Sequence, residues 1–270
     1  MFAVLKYVLI LWGVIALGWV VAWGLRKWRG DATSGQFTNI VLFVGFIFGF
    51  LLTTLQVFAT NHYSDARNQA QSEPTTLVAM YDDLGVFPAP ASTAARHDLV
   101  CYMRSVVERD WKAQEREDTQ EAPDTVVRGD RLRSLRNTLP QDSPVEQAAY
   151  QRVSQDLADA GTARQKLLFD AQPQVPTVLW VLVFVSAALL FFLLVSDSQS
   201  QRKIVRRIVL VAVTLLLTVE VASLAAVDRP FSPIARVEPN AMTDALALLE
   251  AGHHGEPVFR DCGPPATINS

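Results

Sequence analysis

Four apolar runs punctuate the chain, at residues 4–25, 39–60, 176–195 and 208–227. Each is long enough to cross a bilayer, since about 20 residues rising ~1.5 Å apiece match ~30 Å of hydrocarbon. The first, VLKYVLILWGVIALGWVVAWGL, ends in Arg26, Lys27 and Arg29 and carries Trp12, Trp19, Trp23 and Trp28, indoles suited to the headgroup region. Lys6 can snorkel from its start. Its basic residues follow the apolar run and no small-residue cleavage site stands out, so it reads as a helix and not a secretory signal. The second run holds no charge, and Gly45 and Gly49 stand at a spacing that lets another helix approach. The third opens at Pro176, a residue that a helix start tolerates.

Residues 61–175 have another texture: charged, poor in glycine and patterned for helices. Leu99, Met103, Val106, Val107 and Trp111 recur at three- and four-residue intervals and share one face of an amphipathic helix. Ser143, Pro144 and Glu146 stand as N-cap, N1 and N3 of a capping box that opens a long helix reaching Phe169. Pro74, Pro88, Pro90, Pro123 and Pro140 are read as breaks between helical segments, giving three or four helices. No repeat and no strand-like alternation appears. The proline-rich tail, 228–270, holds one short amphipathic piece at 242–251 and is expected to be disordered beyond about residue 252. The pattern therefore predicts an all-α membrane protein: transmembrane helices 1 and 2 within 4–60, a helical soluble insert at 61–175, helices 3 and 4 within 176–227, then the tail.

Composition agrees: 50% of residues are hydrophobic and 19% charged, with mean hydropathy +0.19. A net charge of -3 gives no basic footprint for a nucleic acid. Lys and Arg near the span ends number seven on the short-loop side (Arg26, Lys27, Arg29, Arg202, Lys203, Arg206, Arg207) and six plus the terminal amine on the other (Lys6, Arg67, Arg164, Lys166, Arg229, Arg236). The positive-inside rule does not decide orientation here. The insert carries 18 acidic against 13 basic residues, which contribute little to topology. Cys101 and Cys262 are too few and too far apart for a disulfide framework or a CxxC site and read as free thiols.

Catalytic chemistry finds little support. His62, His97, His253 and His254 form no HExxH and no cysteine–histidine cluster in sequence, and neither a Walker loop nor a GxSxG is present. Adjacent Asp82 and Asp83 diverge on a helix and read as a solvated face. No metal, cofactor or enzymatic activity is expected. Two intramembrane features rank higher. Glu220 lies within the fourth run, where an acid costs about 2.5–3.5 kcal/mol by the scale for Asp, and it either marks a polar pathway or reaches the interface two turns away. Leu42, Phe46 and Phe50, spaced four apart, make one ridge of the second helix. On an isolated helix such a ridge is usually lipid-facing or packed; around an axis of several copies it forms a narrow apolar constriction.

The stretch FIFGFLLTTLQVFATNHYSDARNQA, residues 46–70, resembles the phenylalanine-rich neck helix of bestrophins running into an Asn-x-Tyr segment, with Asn61 and Tyr63 at the matching places. More closely, FVGFIFGFLL, HYSDARNQAQSE, a helical insert, PTVLW and VDRPFSPIARVEP follow in the order of the bestrophin-like domain-of-unknown-function family of bacteria and plants, across about 200 of the 270 residues. Pro74 stands where that family has alanine, and Pro233 where it has glycine nearby. The acidic cluster of the animal calcium clasp is absent, and Asp228 alone cannot supply the roughly six or more oxygens that calcium takes.

Bestrophins are pentameric anion channels with the insert and C-terminal tail in the cytosol. The resemblance thus implies a homo-oligomer in the lipid bilayer of the cell membrane that passes inorganic ions. It implies Leu42, Phe46 and Phe50 as neck residues, Asn61 and Tyr63 at the pore exit, and Pro230 and Phe231 as the tail's anchor. It further implies a cytoplasmic insert and C-terminus, hence reduced cysteines. The alternative is a non-conducting sensor or adaptor with a helical signalling domain. Fold does not fix function between the two.

Overall fold

The computed structural model describes residues 2–29, 38–114, 120–197, 203–231, 236–251 and 262–263, and every regular element among them is helical. The chain divides into two compact units, 1–63 with 173–229, and 64–172 with 230–270.

The first unit contains α1 (Phe2–Arg29), the opening part of α2 (Thr38–Leu84), α7 (Thr177–Asp197) and α8 (Lys203–Val227). Each contributes a stretch long and apolar enough to cross a membrane: Val4–Gly24, part of Asn39–Leu84, Thr177–Ser196 and Arg207–Val227. α1 packs against both α7 and α8. Small residues allow this. A Cβ added at Gly18 would meet the Ala188 carbonyl oxygen at 3.6 Å, while Ala187 and Val183 beside it are fully buried. Of the two glycines in the second run, Gly45 lies against Leu190, whereas Gly49 faces open space. Near one end of these helices Tyr7 stacks on Trp180 with ring centroids 4.1 Å apart. Lipid tails give no hydrophobic drive between helices, so such close packing, together with hydrogen bonds from Trp12 to Thr218 and from Gln56 to Ser223, holds the unit together.

α2 is the largest departure from the sequence reading. It is one 47-residue helix in which Pro74 is interior and not a break. A mid-helix proline removes one hydrogen bond and crowds the carbonyl four residues back, about 3 kcal/mol. Against that, Leu77, Met80, Tyr81 and Leu84 on the following turns are essentially fully buried. Thr75 and Thr76 also donate their hydroxyls to the carbonyls of Gln71 and Ser72, at 2.9 and 3.2 Å. The other prolines behave as read: Pro90 precedes α3, Pro123 opens α5, and Pro140 lies in the loop before α6.

The second unit contains the rest of α2 with α3 (Ala91–Ser105), a π-helical turn (Val106–Asp110), α4 (Trp111–Gln114), α5 (Pro123–Leu135), α6 (Pro144–Asp170) and α9 (Asn240–Glu250). Its apolar core includes Leu99, Met103, Val106, Trp111, Val153, Leu167, Met242 and Leu249. The capping box of α6 forms as its sequence specifies: Ser143 Oγ accepts the Glu146 N–H at 3.2 Å and Glu146 accepts the Ser143 N–H at 3.0 Å. The π turn was not legible in the amphipathic pattern. Its extra residue rephases the helix, so that consecutive Asp110 and Trp111 are both buried while Val107 is only half-buried.

Candidate functional site

The charge-free part of α2 exposes the ridge strongly: Leu42, Phe46 and Phe50 are 67%, 73% and 69% exposed. Just past them Thr53 and Thr54 return their hydroxyls to the carbonyls of Gly49 and Phe50, both at 2.9 Å, so these polar groups are satisfied within the helix. Asn61 is exposed and Tyr63 half-buried, about one turn and about half a turn before the first acid of the charged part, Asp65. The ridge can therefore present a continuous apolar wall to lipid, to another subunit or to a narrow lumen. Glu220 on α8 is half-buried and has no hydrogen-bond or ion-pair partner among the described residues. Asp228, past the end of α8, accepts the N–H groups of Gln174 and Val175 at 3.1 and 2.8 Å and so fixes the entry to α7. That is a structural role.

Pro230 and Phe231 are both buried. The Phe231 ring meets Trp111 edge-on at 5.8 Å, Trp111 donates its indole N–H to the Val237 carbonyl at 3.2 Å, and the Val237 N–H reaches the Pro230 carbonyl at 2.7 Å. The start of the tail is thus held against Trp111 of α4.

The sequence reading missed a buried charge cluster in the second unit. Arg164 of α6, 4% exposed, faces three carboxylates: Asp110 in direct contact, Glu121 at 2.9 Å and Glu73 at 3.8 Å. Tyr102 donates to Glu73 Oε1 at 2.8 Å, and Asp110 Oδ1 accepts from the Ala122 N–H and the Thr125 hydroxyl at 2.8 and 2.9 Å. Asp110 thereby ties down the start of α5, whose N-cap Ala122 makes no side-chain cap hydrogen bond. Burial raises the Glu73 carboxyl, with Arg164 and the Tyr102 hydrogen bond opposing; burial likewise raises Asp110 against Arg164, and it lifts Tyr102 well above its ordinary range. Burial pulls the Arg164 guanidinium down, but Glu73, Tyr102 and Asp110 outweigh it and the group stays a firm cation. Among the described residues Glu73 Oε2 and Arg164 Nη1 find no hydrogen-bond partner, and they face each other across the 3.8 Å gap. The signal was available, because Glu73 stands four residues before Leu77, Asp110 seven after Met103 and Arg164 three before Leu167, all in the apolar phase of their helices.

The cysteines require a correction. Cys101 and Cys262 are joined in a disulfide and are not free thiols; 161 positions apart in sequence, they are brought together only by folding. His97 joins them, one turn before Cys101 with its Nε2 3.6 Å from that Sγ, so a cysteine–histidine cluster does exist. The expected disorder beyond residue 252, and His253 and His254, lie outside the described residues, except that Cys262 and Gly263 are ordered and held. Of the paired acids, Asp82 is exposed, while half-buried Asp83 takes the Arg152 guanidinium at 2.8 Å and is not merely solvated.

No curated protein matches the chain in sequence. Among solved structures, the fold is similar to crystal structures of two single-substitution variants of a bacterial bestrophin homologue from Klebsiella pneumoniae. Both are 14% identical to this chain, with TM-scores of 0.59 and 0.57, over 91% of this chain and 95% of theirs. The model of the Bestrophin-like domain matches residues 9–242, so with its four apolar spans and all-helical fold this chain is a membrane protein that belongs to the Bestrophin-like family.

Proposed function

We propose that copies of this chain assemble in the bilayer, five-fold as in bestrophins, with the 39–60 part of α2 around the axis, and that the assembly conducts inorganic anions. Leu42, Phe46 and Phe50 then line the neck, Asn61 and Tyr63 stand at its exit, and Pro230 and Phe231 anchor the tail. The observation that carries the reading is the ridge itself: three large apolar side chains, each about 70% exposed in one chain, aligned on a helix with no charge along its span. A narrow apolar ring resists ions by dewetting, so flux depends on ring width and on positive aromatic edges meeting an anion. Glu220, without a partner among the described residues, is left for a neighbouring subunit or a polar path.

The insert and C-terminus face the cytoplasm in this proposal, following the bestrophin arrangement where the charge rule ties. The Cys101–Cys262 bond runs against the reduced thiols this orientation predicted. An exchangeable bond reconciles the two; a bond that is permanent in cells, with Cys262 open to an impermeant thiol reagent from outside after reduction, reverses the orientation. The function is tested by sizing the purified protein in detergent and measuring chloride flux in liposomes. A pentamer with flux above empty vesicles supports it. A monomer, or a stable oligomer without flux, favours the non-conducting sensor.

A further inference from the structure

We infer that Cys101, Cys262, His97 and Arg104 form a thiol–disulfide exchange site that latches the C-terminal segment onto α3. The two sulfurs are bonded, and each sits beside a group that stabilises a thiolate. Arg104 Nη1 donates to Cys262 Sγ at 3.2 Å, and His97 Nε2 lies 3.6 Å from Cys101 Sγ. Cations and imidazoles beside sulfur mark exchange-competent cysteines, whereas inert structural ones sit in apolar surroundings. The sulfurs also differ in access: Cys101 is 1% exposed and Cys262 is half-buried.

That asymmetry sets the direction of exchange. A thiolate of an incoming dithiol attacks Cys262 Sγ; the sulfur–sulfur bond breaks and its electron pair leaves on Cys101 Sγ, beside the His97 imidazole, and this thiolate takes a proton from water. The second thiol of the reductant, losing its proton to water, attacks the reductant's own sulfur in the mixed disulfide. Cys262 leaves as a thiolate held by Arg104. The protein disulfide gains two electrons and the dithiol becomes a disulfide.

The segment around Cys262 is docked as well as bonded. Arg128 donates to the carbonyls of Cys262 and Gly263 at 3.3 and 2.7 Å, and Arg104 also bridges to Glu250 of α9 at 2.5 Å. Reduction therefore removes the covalent tie, leaves only these contacts, and gives Arg104 a thiolate to share with Glu250. The ligand atoms of His97, Cys101 and Cys262 lie within 4.8 Å of one another, a spacing that also suits a thiophilic cation in the reduced state. The guanidinium against Cys262 opposes a second positive charge there, and the exchange reading is favoured.

The latch rests on the cytoplasmic orientation proposed above. Its test uses the full chain, first in growing cells quenched with acid and alkylated, then purified in detergent and titrated with dithiothreitol. Expected are thiols in unstressed cells, an intramolecular disulfide after a pulse of diamide, and full reversal by dithiothreitol without denaturant. Arg104→Gln is expected to slow reduction about ten-fold while leaving oligomer size unchanged. Cleavage after α9 by added protease is expected to rise at least about ten-fold on reduction. A bond oxidised under all cell conditions, or reducible only in denaturant, overturns the latch, as does stoichiometric zinc that shields the reduced thiols from alkylation. Chloride flux is measured on the same samples, and its loss in both redox states sinks the channel reading while leaving the latch standing.

Discussion

The two units solve opposite problems. In the membrane unit large apolar side chains lie on both sides: Leu42, Phe46 and Phe50 are exposed, while Leu11, Phe48, Trp180, Phe191 and Leu224 are buried beside small residues such as Ala187 and Ala225, with Gly18 against α7. In the insert unit the apolar residues are inside, yet the centre also holds an arginine and two almost fully buried carboxylates. Within lipid the bilayer solvates the outward face, so sequence hydropathy reports length and little about packing partners. Within water the hydrophobic effect builds the core, and buried carboxylates are tolerated there beside a shared cation, Arg164.

Removing that cation gives the largest expected effect. Arg164→Met leaves Glu73, Asp110 and Glu121 facing one another without a cation, and unpairing buried charges destabilises by about 3–5 kcal/mol. Thermal unfolding of the full chain in detergent is expected to show a transition lost or strongly lowered. A drop under about 1 kcal/mol would mean that the cluster is hydrated and unimportant. Arg164→Lys is expected to recover only part, since an ammonium cannot span three carboxylates as a guanidinium does.

The disulfide comes next. In oxidising buffer Cys101→Ser is expected to lower the stability of the insert unit by about 2–4 kcal/mol, because the crosslink closes a very long loop. In dithiothreitol the variant and parent are expected to coincide. A difference that persists under reduction would assign the loss to packing around Cys101, which is itself buried.

The membrane unit sharpens the comparison from the other side. Replacing both Phe46 and Phe50 with alanine is expected to raise chloride flux several-fold with oligomer size unchanged, since the two rings are 73% and 69% exposed within their chain and contribute little to its core. Were the rings packed between subunits, truncation would cost about 3–5 kcal/mol each and the oligomer would dissociate with no gain of flux. An intact assembly with unchanged flux would move the ridge to the lipid face.

What the sequence revealed divides along the same line. The spans, the capping box at Ser143 and the amphipathic face through Leu99 and Met103 are local signals, and local periodicity carries them. Pro74 was misread because a local penalty of about 3 kcal/mol was set against packing that only the folded helix reveals. The disulfide and the Arg164 cluster join residues from separate helices, and no spacing rule pairs position 101 with 262 or 164 with 73. Their single-residue traces, a charge in an apolar phase and a histidine one turn before a cysteine, were present but do not name a partner. The ridge was read from the four-residue spacing of Leu42, Phe46 and Phe50, a local signal, and only its role as a neck came from the family resemblance.

The smallest expected effect concerns Glu73 and supplies the finest comparison of charge against packing. Burial raises its carboxyl above the ordinary range, with Arg164 opposing, so the folded chain holds this proton more tightly than the unfolded chain does. Stability from this group is therefore fully present below the unfolded carboxylate value and is lost as pH rises through the folded one. Asp110, raised the same way, adds to the slope. Unfolding followed from about pH 8 down to about pH 5 is expected to show the insert unit gaining stability, the reverse of ordinary acid denaturation. Glu73→Gln keeps an acceptor for the Tyr102 hydroxyl but has no proton to bind, so it is expected to flatten the slope without abolishing it. At neutral pH it is expected to change stability by less than about 1 kcal/mol, since a neutral amide needs no cation and Arg164 retains Asp110 and Glu121. An unchanged slope in the variant would place the titrating group elsewhere. A large loss at neutral pH would show that the Glu73 charge is required by Arg164, and that the cluster holds three ion pairs instead of two and a guest carboxyl.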